Sequence, residues 1–357
     1  MKTKRYDDIF DKIIQQNKIY ESVVLIEKGT GETIFSRACG GKDIDSPIIA
    51  ASITKMFTAA CIFVLIQQGY MTLNDNLLNF YEPAYLKGLH FYKGKDYSFN
   101  LKISDLLYQT SGLADIFEEG KNSIKKQAIN SDTFVTFDKN IILTKEKEAH
   151  FPPNYKNKAH YADINYNILG DLIEKVTKCS LERVFEKYIF SKINMANTYL
   201  PVSEKEYIPM VYYGDKQLYR PQFIMCSKAS GGCITSTRDL MLFIQAFFHG
   251  ELFDKKILYS KPYRKLQLSM WPIYYGSGYM RIKMGGFSTS FLGQGDLIGH
   301  SGSTGSFAFY YPDKELFFAG DFNQMKYPAL PIRFVMQLAM FMTRSDEASA
   351  NCAGDCK

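Results

Sequence analysis

Strand-like runs sit at the two ends of this 357-residue chain, and helix-like runs fill the space between them. Ser22-Val23-Val24-Leu25-Ile26-Glu27 and Thr33-Ile34-Phe35-Ser36-Arg37 flank Lys28-Gly29-Thr30-Gly31, which reads as a hairpin. Far downstream, Gly278 to Lys283, Ser306 to Tyr311 and Leu316 to Gly320 read as further strands, and a helix is expected from about Pro328 to Thr343. Strands divided in this way bury their apolar faces most simply in one antiparallel sheet built from both termini. The expected class is α+β, an α/β/α sandwich: the sheet is flanked by N- and C-terminal helices, and a mainly helical lobe is inserted. The sheet lobe is expected over 1–75 plus 226–357 and the helical lobe over 76–225, with a cleft between them. At 46% hydrophobic residues, the chain can bury a large core.

The first residues support a flanking helix. Tyr6, Ile9, Phe10, Ile13 and Ile14 recur at helical spacing, so the segment reads as an amphipathic surface helix rather than a secretory leader. No apolar stretch reaches about 18 residues, so no membrane span is expected. The net charge of +6 is modest, and Lys and Arg are scattered among acids rather than gathered in a basic stripe, which argues against nucleic acid as a partner. Seven cysteines, an odd number, suit reduced thiols, and a cytoplasmic location is expected. Cys352 and Cys356 form either a redox or metal pair or, as preferred here, part of a loose polar tail. Oligomeric state is not readable.

Ser52-Ile53-Thr54-Lys55 opens a long apolar run that ends near Gly69. A Ser and a Lys three residues apart at a helix start share one face. Unpaired N–H groups and the positive end of the dipole lie at the same place. A serine there can attack a carbonyl while its own N–H holds the oxyanion. An N-cap serine beside a surface lysine is the plain alternative. Two later clusters weigh against it: His160-Tyr161-Ala162-Asp163, and His300-Ser301-Gly302-Ser303-Thr304-Gly305 just before the strand from Ser306.

Together these stretches resemble the serine β-lactamase and penicillin-binding-protein superfamily. The match is to its branch of class C β-lactamases, D-alanyl-D-alanine carboxypeptidases, D-aminopeptidases and esterases. That family carries S-x-x-K, then Y-x-N or Y-x-D, then K-T-G or H-x-G, in this order. Leu106 to Leu113 and Ser230 to Leu240 are similar to two further family phrases, so the resemblance runs from about residue 20 to about 325. It implies a β-lactamase/transpeptidase-like fold and an acyl-enzyme on Ser52. Lys55 would hold the serine's proton network, and Tyr161, a phenol near two cations, would complete the base. The backbone N–H groups of Ser52 and Ser303 would form the oxyanion hole, with Gly302 and Gly305 allowing close approach.

Two departures matter. Asp163 stands where class C β-lactamases have Asn; its carboxylate would hold Lys55 charged and could accept a substrate ammonium. His300 stands where they have Lys; it would be a weaker, pH-dependent cation able to donate to Tyr161. Both favour a small ester, amide or short-peptide substrate over a β-lactam. Asp115 reads as a turn or cap residue, with a place facing the cleft as the alternative. The histidines at 90, 150, 160 and 249 lack metal-ligand spacing, so no metal is assigned, and no cofactor is implied. The expected function is a serine acyl hydrolase. An acyltransferase, or a non-catalytic binding or sensor protein on the same fold, are the alternatives.

Overall fold

A computed structural model describes residues 2–286, 289 and 293–354. Its centre is an eight-stranded antiparallel sheet. In chain order the strands are β1 (Ser22–Lys28), β2 (Thr33–Cys39), β3 (Arg264–Lys265), β4 (Ile273–Tyr275), β5 (Met280–Lys283), β6 (Asp296–Ser301), β7 (Ser306–Tyr311) and β8 (Leu316–Asp321). Across the sheet they run β2-β1-β8-β7-β6-β5-β4-β3. The N-terminal hairpin therefore docks on the last strand, in a register from Val23 opposite Asp321 to Lys28 opposite Leu316. Both chain ends build one sheet, as the separated strand signals require.

Helices cover both faces. Every residue of β7 and β8 is buried, because alternate side chains meet different layers. Phe307 packs edge-on against Phe334 of the C-terminal helix Leu330–Gly354, whereas Tyr310, three residues on, meets Phe248 of the helix Thr237–His249. The N-terminal helix Lys2–Gln16 buries Tyr6, Phe10 and Ile13, with Tyr6 against Phe35 of β2 and Phe341 of the C-terminal helix.

The helix Thr54–Gln67 is buried from Thr54 through Leu65. With no solvent-facing side over those residues it has no amphipathic period, and its continuous apolar run was its sequence signal. Between residues 76 and 225 lie several helices, of which Asp163–Thr177 matters most for the site, and short strand pairs such as Val211–Tyr213 with Lys216–Leu218.

Three sheet strands were not read from the sequence: β3, β4 and β6. The C-terminal helix extends beyond the expected end at Thr343, so Cys352 falls within a helix rather than a loose tail, while Cys356 lies outside the described residues. Among the described residues no helix is long and apolar enough to cross a membrane.

Candidate active site

Ser52 lies on a single 3-10 turn, Ala51–Ile53, that leads into the Thr54–Gln67 helix. Ala51, the residue before it, has φ +45°, a left-handed conformation that costs an L-residue on the order of 1–2 kcal/mol. The turn is held from the sheet side. Thr304 Oγ1 donates to the Ile49 carbonyl at 3.1 Å, and Ser306 Oγ donates to the Ala50 carbonyl at 2.9 Å. From the other side, Ala50 N–H donates to the Cys233 carbonyl at 2.9 Å.

One helical turn on, the Lys55 ammonium is fully buried and makes three close contacts. It donates to Ser52 Oγ at 3.0 Å and to the Ser230 carbonyl at 2.6 Å, and it pairs with Asp163 Oδ1 at 2.6 Å. An unpaired ammonium at such a depth would carry a desolvation cost of several kcal/mol, so these oxygens are what permit its burial. Asp163 is the first residue of the helix Asp163–Thr177, where a negative charge also meets the positive end of the dipole.

Tyr161 precedes that helix on a loop fixed from below. Gln109 takes the Ala162 N–H at 3.0 Å and the Asn165 amide at 2.5 Å, while Ser111 Oγ donates to Asn165 Oδ1 at 2.7 Å. The Lys55 ammonium lies 5.0 Å from the Tyr161 ring centroid. Burial first, and then the Asp163 carboxylate, push the Tyr161 phenol well above its ordinary value, with an opposing pull from nearby Ser52. The phenol oxygen makes no formed hydrogen bond among the described residues. It is held as a neutral phenol, not a ready phenolate.

Gly302 follows the last residue of β6. A Cβ on it would meet Ser306 Oγ at 2.2 Å, the Ala50 carbonyl oxygen at 2.8 Å and Ala51 Cβ at 2.9 Å, so only glycine lets β6 run this close to the Ser52 turn. Ser303 follows on the Gly302–Gly305 turn, closed by the Gly305 N–H donating to the Gly302 carbonyl at 3.1 Å.

His300 departs from its expected part. It is fully buried, and burial, then Lys55, carry its pKa down to about 3 against a smaller opposing effect of the Ser301 carbonyl. It is a neutral imidazole at ordinary pH rather than a pH-dependent cation, which leaves Lys55 as the only one of the two expected cations near Tyr161. Nδ1 lies 2.8 Å from the Ser301 carbonyl and must carry the proton, so Nε2 is an acceptor facing the Tyr275 hydroxyl at 3.4 Å. The donation to Tyr161 expected from the sequence is not made; the two rings are 6.1 Å apart.

Asp115 takes the turn position expected for it. Its Oδ1 closes an Asx turn with the Phe117 N–H at 3.1 Å and also accepts the Asp163 N–H at 3.4 Å. Burial, then the Asp163 charge, raise its pKa well above the ordinary carboxyl range. It stands behind Asp163 as a second acid, buried and bonded to the backbone on both sides.

Sequence reasoning missed Tyr275, Tyr166, Gln109 and the Ser230 carbonyl. Tyr166 accepts from Tyr275 at 3.2 Å and donates to the Leu107 carbonyl at 2.9 Å, forming the floor beside His300. Gln109 and Ser230 stand inside phrases already singled out, so a signal existed for them. Tyr275 sits in an unmarked Ile-Tyr-Tyr strand and had none.

Outside this cluster the fold assembles another. Glu119 Oε1 lies 2.9 Å from His150 Nε2 and 2.5 Å from His160 Nε2, and these ligand-type atoms all fall within 4.8 Å of one another. The assignment of no metal rested on spacing along the chain, and the fold brings these residues together across a loop.

The Beta-lactamase family model matches residues 10–334. The chain belongs to the β-lactamase family. Among curated relatives it is 27% identical over 251 residues to Protein flp of Staphylococcus aureus strain NCTC 8325 / PS 47, covering 66% of this chain and 47% of that protein. The chain thus spans about half the length of the curated relatives it matches. Among solved structures, the D-stereospecific amidohydrolase from Streptomyces sp. superimposes with a TM-score of 0.72 at 20% identity, covering 91% of this chain and 95% of the other. The D-amino acid amidase of Ochrobactrum anthropi SV3 gives 0.74 at 17% identity, covering 96% and 99%. These likenesses establish the β-lactamase/transpeptidase-like fold.

Proposed function

We propose that this chain is a serine acyl hydrolase that cleaves ester or amide bonds of small molecules or short peptides through a Ser52 acyl-enzyme. The observation that carries the reading is the buried Lys55 ammonium, 3.0 Å from Ser52 Oγ and anchored by Asp163 and the Ser230 carbonyl. A surface lysine beside an N-cap serine requires none of that burial. Ser52 Oγ attacks the substrate carbonyl, and Lys55 stabilises the charge that develops on Oγ.

Tyr161 acts as a relay. As its phenol passes its proton to the leaving group, it takes the proton of Ser52, so no free phenolate forms and the raised phenol pKa is no obstacle. In deacylation the same steps run from water, with Tyr161 returning a proton to Ser52 Oγ. The N–H groups of Ser52 and Ser303 would receive the oxyanion, a role supported by the close approach of Gly302 to the Ala50–Ala51 turn. His300, as a neutral imidazole, and Asp115, bonded to the Asp163 N–H, hold the site's shape from outside. In this reading the cleft runs between a sheet lobe, 1–75 with 226–357, and a helical lobe, 76–225.

Small D-amino acid amides are the first substrates to try, because the amidase and amidohydrolase named above share the fold. The test is release of p-nitrophenol from a short-chain ester, and of ammonia from D-phenylalaninamide, by the wild type and by Ser52→Ala. Loss of roughly 100-fold or more in either reaction, about 2.7 kcal/mol of barrier, is expected. Equal and substantial rates in the two proteins would remove Ser52 from the mechanism.

A further inference from the structure

We propose that Glu119, His150 and His160 form a three-ligand site for a divalent transition-metal ion of the zinc type, with a fourth position open to solvent. One carboxylate and two imidazoles are ligands that suit such an ion. Tetrahedral zinc with bonds of about 2.0–2.2 Å sets its ligand atoms roughly 3.3 Å apart. The observed spacings of 2.9 and 2.5 Å from Glu119 Oε1 to the two Nε2 atoms need to open by less than an ångström. The two rings are in contact, with centroids 3.7 Å apart and planes at 33°, and they must spread by roughly 1.5 Å to take tetrahedral angles about one ion.

The three ligands hang from one scaffold. His150 N–H donates to the Gly112 carbonyl and His160 N–H to the Gln109 carbonyl, each at 2.8 Å, and Glu119 N–H donates to the Asp115 carbonyl at 2.9 Å. The backbone is thus set before any ion arrives, and little ordering remains to be done on binding. Access is provided as well, since the side chains of His150 and Glu119 are 38% and 32% exposed while His160 is nearly buried. A purely structural ion pair would need one histidine, whereas here both aim the same ring nitrogen at one oxygen. An ion at this point would fasten the 109–119 segment to the 150–161 loop, which ends in Tyr161.

The test uses the full chain, stripped with a chelator that is then removed. Titration with Zn2+ by calorimetry should give one equivalent bound. Co2+ in its place should give visible d–d bands without the strong charge-transfer band of a thiolate. His150→Asn, a partly exposed position, should weaken binding by more than the roughly 10- to 100-fold that loss of an outer-shell partner costs, with the circular dichroism unchanged, and Glu119→Gln should act alike. A Cys352→Ser/Cys356→Ser variant should bind as the wild type does. Failure to bind stoichiometrically would overturn the site, as would binding that survives His150→Asn. So would a thiolate band that disappears with the tail cysteines.

Discussion

The imidazole of His300 is fully buried, with Nδ1 bonded to the Ser301 carbonyl and Nε2 toward Tyr275. In the unfolded chain a histidine takes up a proton near 6.5, whereas here it does so only near 3. Between those values the unfolded chain binds a proton that the native site refuses, so stability is lost as pH falls from about 6.5 toward 3. The ceiling of this loss is on the order of 5 kcal/mol. His300→Gln, which keeps an amide donor and an acceptor without titrating, should flatten that part of the profile. Urea unfolding of both proteins at pH 7 and pH 4.5 measures it, and an unchanged pH dependence in the variant would show that His300 is not the group responsible. The same residue marks a limit of the sequence. Its motif placed it in the cleft, but its charge depends on what surrounds it, and burial is not written in a hexapeptide.

At the scale of elements, the end of β6 is fitted to the turn that carries Ser52. The Gly302 position has no room for a Cβ beside Ala50, Ala51 and Ser306. Gly302→Val should force the strand end away from the turn, separating Ser303 N–H from Ser52 N–H. The expected result is a fall in kcat of roughly 100- to 1,000-fold, the cost of one oxyanion donor, with a smaller change in KM. An unchanged kcat would mean that the strand end takes no part in the reaction. Strands that alternate or run apolar, such as β1, β7 and β8, were legible in the sequence. The missed β6 carries Gly299, His300 and Ser301, and β3 and β4 are short. Their pairing is decided by neighbours already in the sheet, a tertiary effect that no local pattern contains. The Ser52 turn was placed correctly as the start of the apolar helix, although the 3-10 geometry and the left-handed Ala51 were not foreseen.

Across the whole molecule, Lys55 joins three segments far apart in sequence: its own helix, the Asp163–Thr177 helix, and the Ser230 carbonyl 175 residues downstream. The motif order announced the Ser52–Lys55–Tyr161 grouping; the depth at which Lys55 is buried and its tie to Ser230 follow from packing and could not be read. A buried pair of this kind is a poor source of net stability but a costly thing to break. Asp163→Leu leaves a buried ammonium with only neutral oxygens, Ser52 Oγ and the Ser230 carbonyl, and no counter-charge, and should lower stability by roughly 3–5 kcal/mol. Lys55→Met leaves Asp163 without its cation, and a similar loss is expected. The double variant Lys55→Met/Asp163→Leu removes both charges and replaces them with apolar groups of comparable size, so most of the lost stability should return while esterase and amidase activity stay at background. Thermal or urea unfolding of the four proteins gives the coupling directly. Additive losses would mean that the two charges do not support one another across the molecule. Recovery of stability without recovery of activity would show that the pair is kept for the reaction at Ser52 and not for the fold.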